Sequence, residues 1–465
     1  MAGKLHDILS TVLPRELPGL ASVERCQQLS AGASQETWCI EVATEDGNGR
    51  LALRRAQPML GEGGGVGQIP LETEATLFRL AGEHDVPGPT VRYILQPGDG
   101  LGAGFIMDWL DGETLGQRIV GAPELADARQ GLARECGEIL GRIHAIDWRA
   151  AGLQATLPVI EPAQLVEETW AAYRELDVPM PMIDYAGRWL VDNLPEASRQ
   201  CLVHGDFRNG NLMVTPGGIN AVLDWELAHI GDPVRDLGWL CVNSWRFGQR
   251  DKAVGGFGTI DDLLAGYAAT SGINVTREEL TFWQVFGSFW WAMATLRMAH
   301  TWRTGETPSL ERPVIGRRSS EAQMDCINLL IPGDFELPAD PAPDNTGTQL
   351  PMPAELVEGV VSFLRSDATA TLQPHDIFLA RVAANSLRIA QREIRLGPAL
   401  AGAEQDRLQA LLAMEGELDT LRRELVAQLR AELPLDTPGL AQHLRQTVAC
   451  QLCVDQPRYS ALLGP

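Results

Sequence analysis

CLVHGDFRNGNLMVTPGGINAVLDWELAHIGDPVRDLGWL, residues 201–240, reads as H-G-D-x-x-x-x-N, then an aspartate after a glycine turn, then G-D-P-x-x-D. Asn211-Leu-Met-Val-Thr and Asn220-Ala-Val-Leu-Asp224 flank the turn Pro216-Gly217-Gly218-Ile219. A regular hairpin at this turn sets Asn211 opposite Asp224, within the roughly 5 Å that separates cross-strand partners. Leu212, Val214, Ala221 and Leu223 then share the other, buried face. Two oxygen ligands would converge on one ion with no long-range assumption.

These residue types suit phosphoryl transfer. A hydroxyl acceptor needs a carboxylate to orient it and accept its proton, and Asp206 suits that role. Mg²⁺ is a hard cation that needs oxygen ligands, which Asn211 and Asp224 supply. A lone H-G-D would read as a surface turn. The two spacings together with the glycine turn favour a site.

Outward from this island the chain is mainly helical, from about Asp111 to Leu330. Gln130–Ile146 carries Leu132, Cys136, Ile139, Leu140 and Ile143 at helical spacing. Before it, a helix ends near Pro18-Gly19, and TWCIEV and RLALRR form a hairpin about EDGNGR. A helix follows near Leu71–Glu83, then strands at Val91–Pro97 and Gly104–Trp109. Phe282–Ala299 is interrupted by Gln284, Gly287, Ser288 and Arg297, so it reads as a buried helix and not a membrane span. IPGDFELPADPAPDNTGTQLPMP is a linker by composition. Beyond it, helices are expected at Ala354–Leu364, His375–Arg395, Gln405–Leu433 and Pro438–Asp455.

The bulk numbers exclude some classes. A net charge of −23 disfavours non-specific nucleic-acid or anionic-membrane partners. Eight scattered cysteines without a spaced framework point to reduced thiols and a cytoplasmic protein. The N-terminal residues lack the apolar core of a signal peptide.

The run 201–240 resembles the catalytic and metal-binding loops of the aminoglycoside phosphotransferase and choline kinase family. The fold implied is α+β: a bilobal protein-kinase-like fold with an antiparallel N-terminal lobe (1–110) and a helical lobe (111–331). A linker (332–353) and an all-α helical bundle (354–465) follow. The resemblance implies ATP and Mg²⁺ as cofactors, Asp206 as catalytic base and Asn211 and Asp224 as metal ligands. His204 and Asp236 would brace the catalytic loop, and His144 in GRIHAID would pack behind it as a buried structural histidine.

On the nucleotide side, LSAGASQETWCIEV matches the family's phosphate-covering hairpin, with Ser34 at its turn. RLALRR matches the strand that carries a phosphate-binding lysine. Arg54 stands there instead, a permanent charge with a different reach. Glu74 matches the helix glutamate that anchors this cation. FIMDWLDGETL resembles the hinge, where main-chain groups at Met107–Trp109 would hold the adenine edge. The glycine string 61–67 lacks G-x-G-x-x-G and reads as a flexible connection.

The resemblance implies a small-molecule hydroxyl as the acceptor. Glu226, Asn243 and Trp245 are candidate lining, whereas Trp283, Trp290 and Trp291 read as core. H-G-D-F-R-x-G-N with L-D-W-E-x-A-x-x-G-D-P is similar to a branch of kinase-like domains joined to acyl-CoA dehydrogenases. That implies a hydroxyacyl-type metabolite as readily as an aminoglycoside-type antibiotic. A nucleotide-binding pseudokinase scaffold is the rival from another class, and Arg54 is its only support.

Residues 354–465 resemble an uncharacterised bacterial helical domain found with such phosphotransferases. It is a candidate surface for a protein partner or self-association. Arg381, Asn385, Arg388 and Arg392 form either a basic face or salt bridges to nearby glutamates. Cys450-x-x-Cys453 has no second pair, and an apolar helix explains it better than zinc does.

Overall fold

The computed structural model describes residues 2–31, 35–45, 47–56, 69–196, 199–307, 309–339, 353–366, 369, 372–431 and 433–463. Ser34 and the glycine string 61–67 lie outside the described residues. The chain divides into two compact units. The first comprises Met1–Glu161, Ala197–Cys241 and Trp245–Leu280; the second comprises Pro162–Glu196, Val242–Ser244 and Thr281–Pro465. The expected boundaries at 110, 331 and 353 are therefore not those of the compact units. Residues 354–465 belong with 162–196 and 281–331.

In the first unit, β1 (Leu20–Ala31), β2 (Gln35–Thr44), β3 (Gly47–Ala56), β4 (Val91–Ile94) and β5 (Gly104–Asp108) form an antiparallel sheet of order β1-β2-β3-β5-β4. Helix α1 (Ala2–Glu16) packs Leu5, Leu9 and Leu13 against Trp38, Ile40, Leu51 and Leu53 in one core cluster. The i, i+4, i+8 spacing puts the three leucines on one face, each contributing about 2 kcal/mol by burial. Strand alternation sends Leu51 and Leu53 toward α1 and Arg54 to the opposite face. There α2 (Leu71–Glu83) packs, with Phe78 against Phe105 at 5.9 Å.

Helices α3 (Gly116–Gly121) and α4 (Ala126–His144) follow the sheet. Two small antiparallel pairs carry the site. They are β6 (Cys201–Val203) with β9 (His229–Gly231), and β7 (Leu212–Thr215) with β8 (Gly218–Val222).

The second unit is helical. Its early members are α5 (Pro162–Arg174) and α6 (Pro181–Asp192). The first unit also holds α7 (Val234–Leu240) and α8 (Ile260–Ser271). The second unit then takes most of α9 (Arg277–Arg303), followed by α10 (Glu311–Arg317), α11 (Ser319–Leu330), α12 (Pro353–Arg365), α13 (Pro374–Leu412), α14 (Leu418–Arg430) and α15 (Leu440–Asp455). Trp283 on α9 is core, and Arg318 sits over the ring of Trp291 at 5.7 Å. Asp184 on α6 is fully buried and accepts from Trp170 Nε1 (2.9 Å), Tyr173 (3.1 Å) and Arg430 Nε (2.7 Å), which ties α14 to α6.

Two expected helix bounds are corrected by the structure. The break expected between Arg395 and Gln405 is absent, because α13 runs through Pro398 to Leu412. Buried Ala384, Ile389, Leu396 and Leu408 anchor it on both sides, which outweighs the roughly 3 kcal/mol of an interior proline. Accordingly the first part of the helix expected at 405–433 is the end of α13, and the rest is α14, which begins at Leu418. Of the row expected as a basic face or as salt bridges, Arg392 turns inward. Its guanidinium donates to the carbonyls of Val454 (2.5 Å) and Asp455 (3.1 Å), completing the end of α15. Arg388 lies 3.9 Å from Glu358, so these two arginines are used within the helical unit.

All eight cysteines are free and none is exposed. No described helix is long and apolar enough to cross a membrane.

Candidate active site

Where β6 ends, the chain turns sharply through His204-Gly205-Asp206. Gly205 has φ +86°, and a Cβ there would lie 2.3 Å from the carbonyl oxygen of Leu227, so the turn demands glycine. The backbone N–H groups of His204 and Gly205 donate to the two carboxylate oxygens of Asp236 at 2.8 and 2.9 Å. His144 Nε2 lies 3.2 Å from Asp236, and its Nδ1 is 3.1 Å from the Tyr267 hydroxyl. Burial alone would raise the Asp236 pKa. The hydrogen bond to His144 and the nearby Arg235 cation outweigh it and hold the carboxyl at about 2.

His204 has a defined tautomer. The Asp206 N–H donates to Nδ1 (3.2 Å), so Nε2 carries the proton and donates to the Leu223 carbonyl (3.1 Å). Burial pushes its pKa down, which keeps the ring neutral. It packs on Trp225 at 4.6 Å. His204, Asp236 and His144 thus form one buried frame behind the loop.

Asp206 is held by three side-chain donors. Oδ1 accepts from Arg208 Nε (2.8 Å) and Trp239 Nε1 (2.7 Å), and Oδ2 accepts from Asn211 Nδ2 (2.6 Å). Asn211 Nδ2 also donates to the Asp206 carbonyl at 2.9 Å. With both amide hydrogens used, its side-chain oxygen is the atom left to ligate. Arg208 lies over the Trp245 ring at 4.4 Å, and Trp245 packs on Trp239 at 5.1 Å. Trp245, expected against an acceptor, here backs the arginine that holds Asp206. Asn209 fastens the loop through Nδ2 to the Trp245 carbonyl at 3.2 Å.

The hairpin register differs from the regular one. Thr215 pairs with Gly218, so the loop is only Pro216-Gly217, and a shift between Met213 and Val214 leaves Leu212 opposite Val222. Pro at the first and Gly at the second turn position favour this tighter closure. Asn211 accordingly accepts at its carbonyl from Leu223 N–H (2.8 Å), and Asp224 is not its direct partner. Asp224 lies one residue beyond, at φ +66°, in a conformation L-residues rarely adopt.

Asp224 instead meets Arg54. The guanidinium bonds Glu74 through Nε (3.1 Å) and Asp224 through the other arm, with Glu226 at 3.9 Å. The expected Arg54–Glu74 pairing is present, and Glu226, expected as acceptor lining, approaches the same guanidinium. Burial lowers the Arg54 pKa, but the three carboxylates raise it further and keep the group charged. Three carboxylates exceed one cation. Burial pushes the most enclosed of them, Glu74, up to about 7 despite Arg54. One oxygen of Glu74 is buried without a hydrogen-bond partner, so no donor there stabilises the ionised form.

At the hinge, Met107 is paired on both sides, with Ala52 and Val91. The strand ends at Asp108, so Trp109 begins the irregular segment. Trp109 Nε1 donates to Asp111 (2.9 Å), and Arg50 covers its ring at 4.9 Å. Glu113 bonds both ways to Val214, which docks this segment on the β7–β8 hairpin.

Sequence reasoning missed Arg208 and Trp239 as holders of Asp206. Arg208 was visible two residues after the aspartate. Trp239 lies thirty-three residues on and gave no signal.

A model described as the phosphotransferase enzyme family matches residues 25–273, more than half of the 465 residues, and the chain belongs to that family. A domain of unknown function (DUF6285) matches residues 370–459. Acyl-CoA dehydrogenase family member 10 of Mus musculus is 27% identical over 233 residues, 47% of this chain and 22% of that protein. Acyl-CoA dehydrogenase family member 11 of Gallus gallus is 27% identical over 204 residues, 40% of this chain and 26% of that protein. The chain thus matches about a quarter of the length of these relatives. Among solved structures, a Ralstonia eutropha protein provisionally named as an aminoglycoside phosphotransferase superposes with a TM-score of 0.56 at 22% identity, over 69% of this chain and 96% of that one. That likeness is one of fold, and the fold is protein-kinase-like, an antiparallel N-terminal sheet followed by helices.

Proposed function

We propose that this phosphotransferase moves the γ-phosphoryl group of ATP to a hydroxyl of a small molecule. The observation that carries the reading is the Asp206 carboxylate, locked by Arg208, Trp239 and Asn211. A carboxylate oxygen accepts more than one hydrogen bond. Oδ2 therefore keeps a lone pair to orient the acceptor hydroxyl and take its proton.

Asn211, through its amide oxygen, and Asp224 form a donor set that fits Mg²⁺. No cluster of three or more His, Cys, Asp or Glu placed for a metal occurs among the described residues. Mg²⁺ does not need one, since one or two protein oxygens with phosphates and water complete its shell. When bound, it would neutralise charge on the phosphates. Arg54, braced by Glu74, supplies a cation for the phosphates and would be shared between them and Asp224. Met107 is taken up by its two neighbouring strands, so main-chain groups at Trp109, just past the end of β5, would hold the adenine, and the turn at Ser34 would cover the phosphates.

For the acceptor we favour a hydroxyacyl-type metabolite, supported by the acyl-CoA dehydrogenase names of the relatives. An aminoglycoside has only a likeness of fold behind it. The free thiols suit a cytoplasmic setting. The test is Asp206→Asn, assayed for ATP turnover against hydroxyacyl thioesters and amino sugars. Turnover is expected to vanish while nucleotide affinity holds. Full activity in that variant would remove Asp206 from the role given to it. No turnover by the unaltered chain on any acceptor, with nucleotide still bound, would favour a scaffold.

A further inference from the structure

The second unit contains a partly open cavity of about 430 Å³. Seven helices reach it, through Met182 (α6), Leu296 (α9), Gly316 (α10), Gln323 (α11), Ala401 (α13), Leu418 (α14) and Leu444 (α15). The volume is within the usual range for small-molecule sites. The wall combines apolar side chains with a few polar ones, as such sites do.

His443 on α15 lines this cavity and is 3% exposed. Both of its ring nitrogens are buried without a hydrogen-bond partner. The other histidines buried near charged groups are paired: His144 with Tyr267 and Asp236, His204 with Asp206 and Leu223. A buried polar ring left unsatisfied costs stability, so its retention calls for an explanation. Burial holds the His443 pKa down to about 4, so the ring is neutral at physiological pH. A neutral imidazole offers one donor and one acceptor.

The charged groups on the wall are already matched. Arg317 bonds Asp455 (2.5 Å) and Glu393, and Arg422 holds Glu404 through both arms, at 2.7 Å and 2.5 Å. An ionised ligand would have to break one of these pairs.

We infer that the helical unit binds an uncharged small molecule with a hydroxyl or carboxamide group on an apolar body, anchored by His443. This site is separate from Asp206 and its neighbours, and its ligand is not the phosphoryl acceptor.

The test uses the full chain with octanol, octanamide, octanoate and octylamine, followed by calorimetry and thermal shift. Octanol and octanamide are expected to bind and to raise the melting temperature, each about tenfold tighter than either charged probe. His443→Leu should weaken octanamide about tenfold, the worth of one buried hydrogen bond, and melt no lower than the unaltered chain. His443→Gln keeps a donor and an acceptor and should retain octanamide binding. Octanoate or octylamine binding as well as octanamide would overturn the inference. So would octanamide affinity unchanged in His443→Leu, or no binding of octanol and octanamide, the result for a cavity that holds only water.

Discussion

Replacing Asp236 by asparagine exchanges one oxygen for nitrogen and removes a charge behind the Asp206 turn. The two carboxylate oxygens accept from the His204 and Gly205 amides at 2.8 and 2.9 Å. Asparagine can serve only one of them, and the other N–H then faces an NH₂ group. Loss of a charge-assisted bond costs about 1.5–3 kcal/mol, and the unsatisfied donor about 1–3 more. A second route gives a similar scale. The carboxyl is depressed from 3.8 to about 2, which at about 1.36 kcal/mol per unit favours the ionised form by about 2.4 kcal/mol. We therefore expect Asp236→Asn to lose about 3–5 kcal/mol at pH 7. The folded pKa lies below the unfolded one, so this stability is present above pH 3.8 and is lost as pH falls toward 2. The deficit should accordingly be constant from about pH 8 to pH 5 and shrink below about pH 4. Urea denaturation followed by tryptophan fluorescence measures it. A variant within about 0.5 kcal/mol of the unaltered chain at pH 7 would refute the reasoning, because surface substitutions fall in that range.

Two further outcomes are expected. Glu74→Gln mimics the protonated acid, whose folded pKa is raised from 4.5 to about 7. The unaltered chain loses stability as pH rises through that interval, so the glutamine variant should lie within about 1 kcal/mol at pH 5 and be about 3 kcal/mol more stable at pH 8; urea midpoints at the two values check it, and a less stable variant at pH 8 would contradict a protonated Glu74. Gly205→Ala places a methyl 2.3 Å from the Leu227 carbonyl at φ +86°, so about 2–4 kcal/mol of stability and most turnover should be lost, read by thermal melting and phosphate transfer.

Much of this was readable in the sequence, for local reasons. Leu71–Glu83 is a helix because its apolar residues recur at helical spacing. The pairing of Arg54 with Glu74 follows from two short motifs on adjacent elements. Other features depend on contacts distant in the chain. The docking of α1 on the sheet needs Trp38 and Leu53 to face it, which α1 alone does not reveal. The tight Pro216-Gly217 loop moved Asn211 off Asp224 by one residue, and turn chemistry rather than strand pattern decided that. Glu226 adjoins Arg54 only because the chain returns there after the hairpin. Pro398 reads as a helix end, and only the packing on both sides of it carries α13 through.

The cysteines carry a practical consequence. Burial raises the pKa of all eight, to about 11 for Cys26, Cys201 and Cys453 and about 12 for Cys241. Alkylating reagents attack the thiolate, and at pH 7.5 a thiol of pKa about 11 is ionised on the order of once in three thousand molecules. The native chain is thus a nearly silent background for maleimide or iodoacetamide. A single cysteine engineered onto an exposed position would take up a fluorophore selectively, without first stripping the natural ones from the interior.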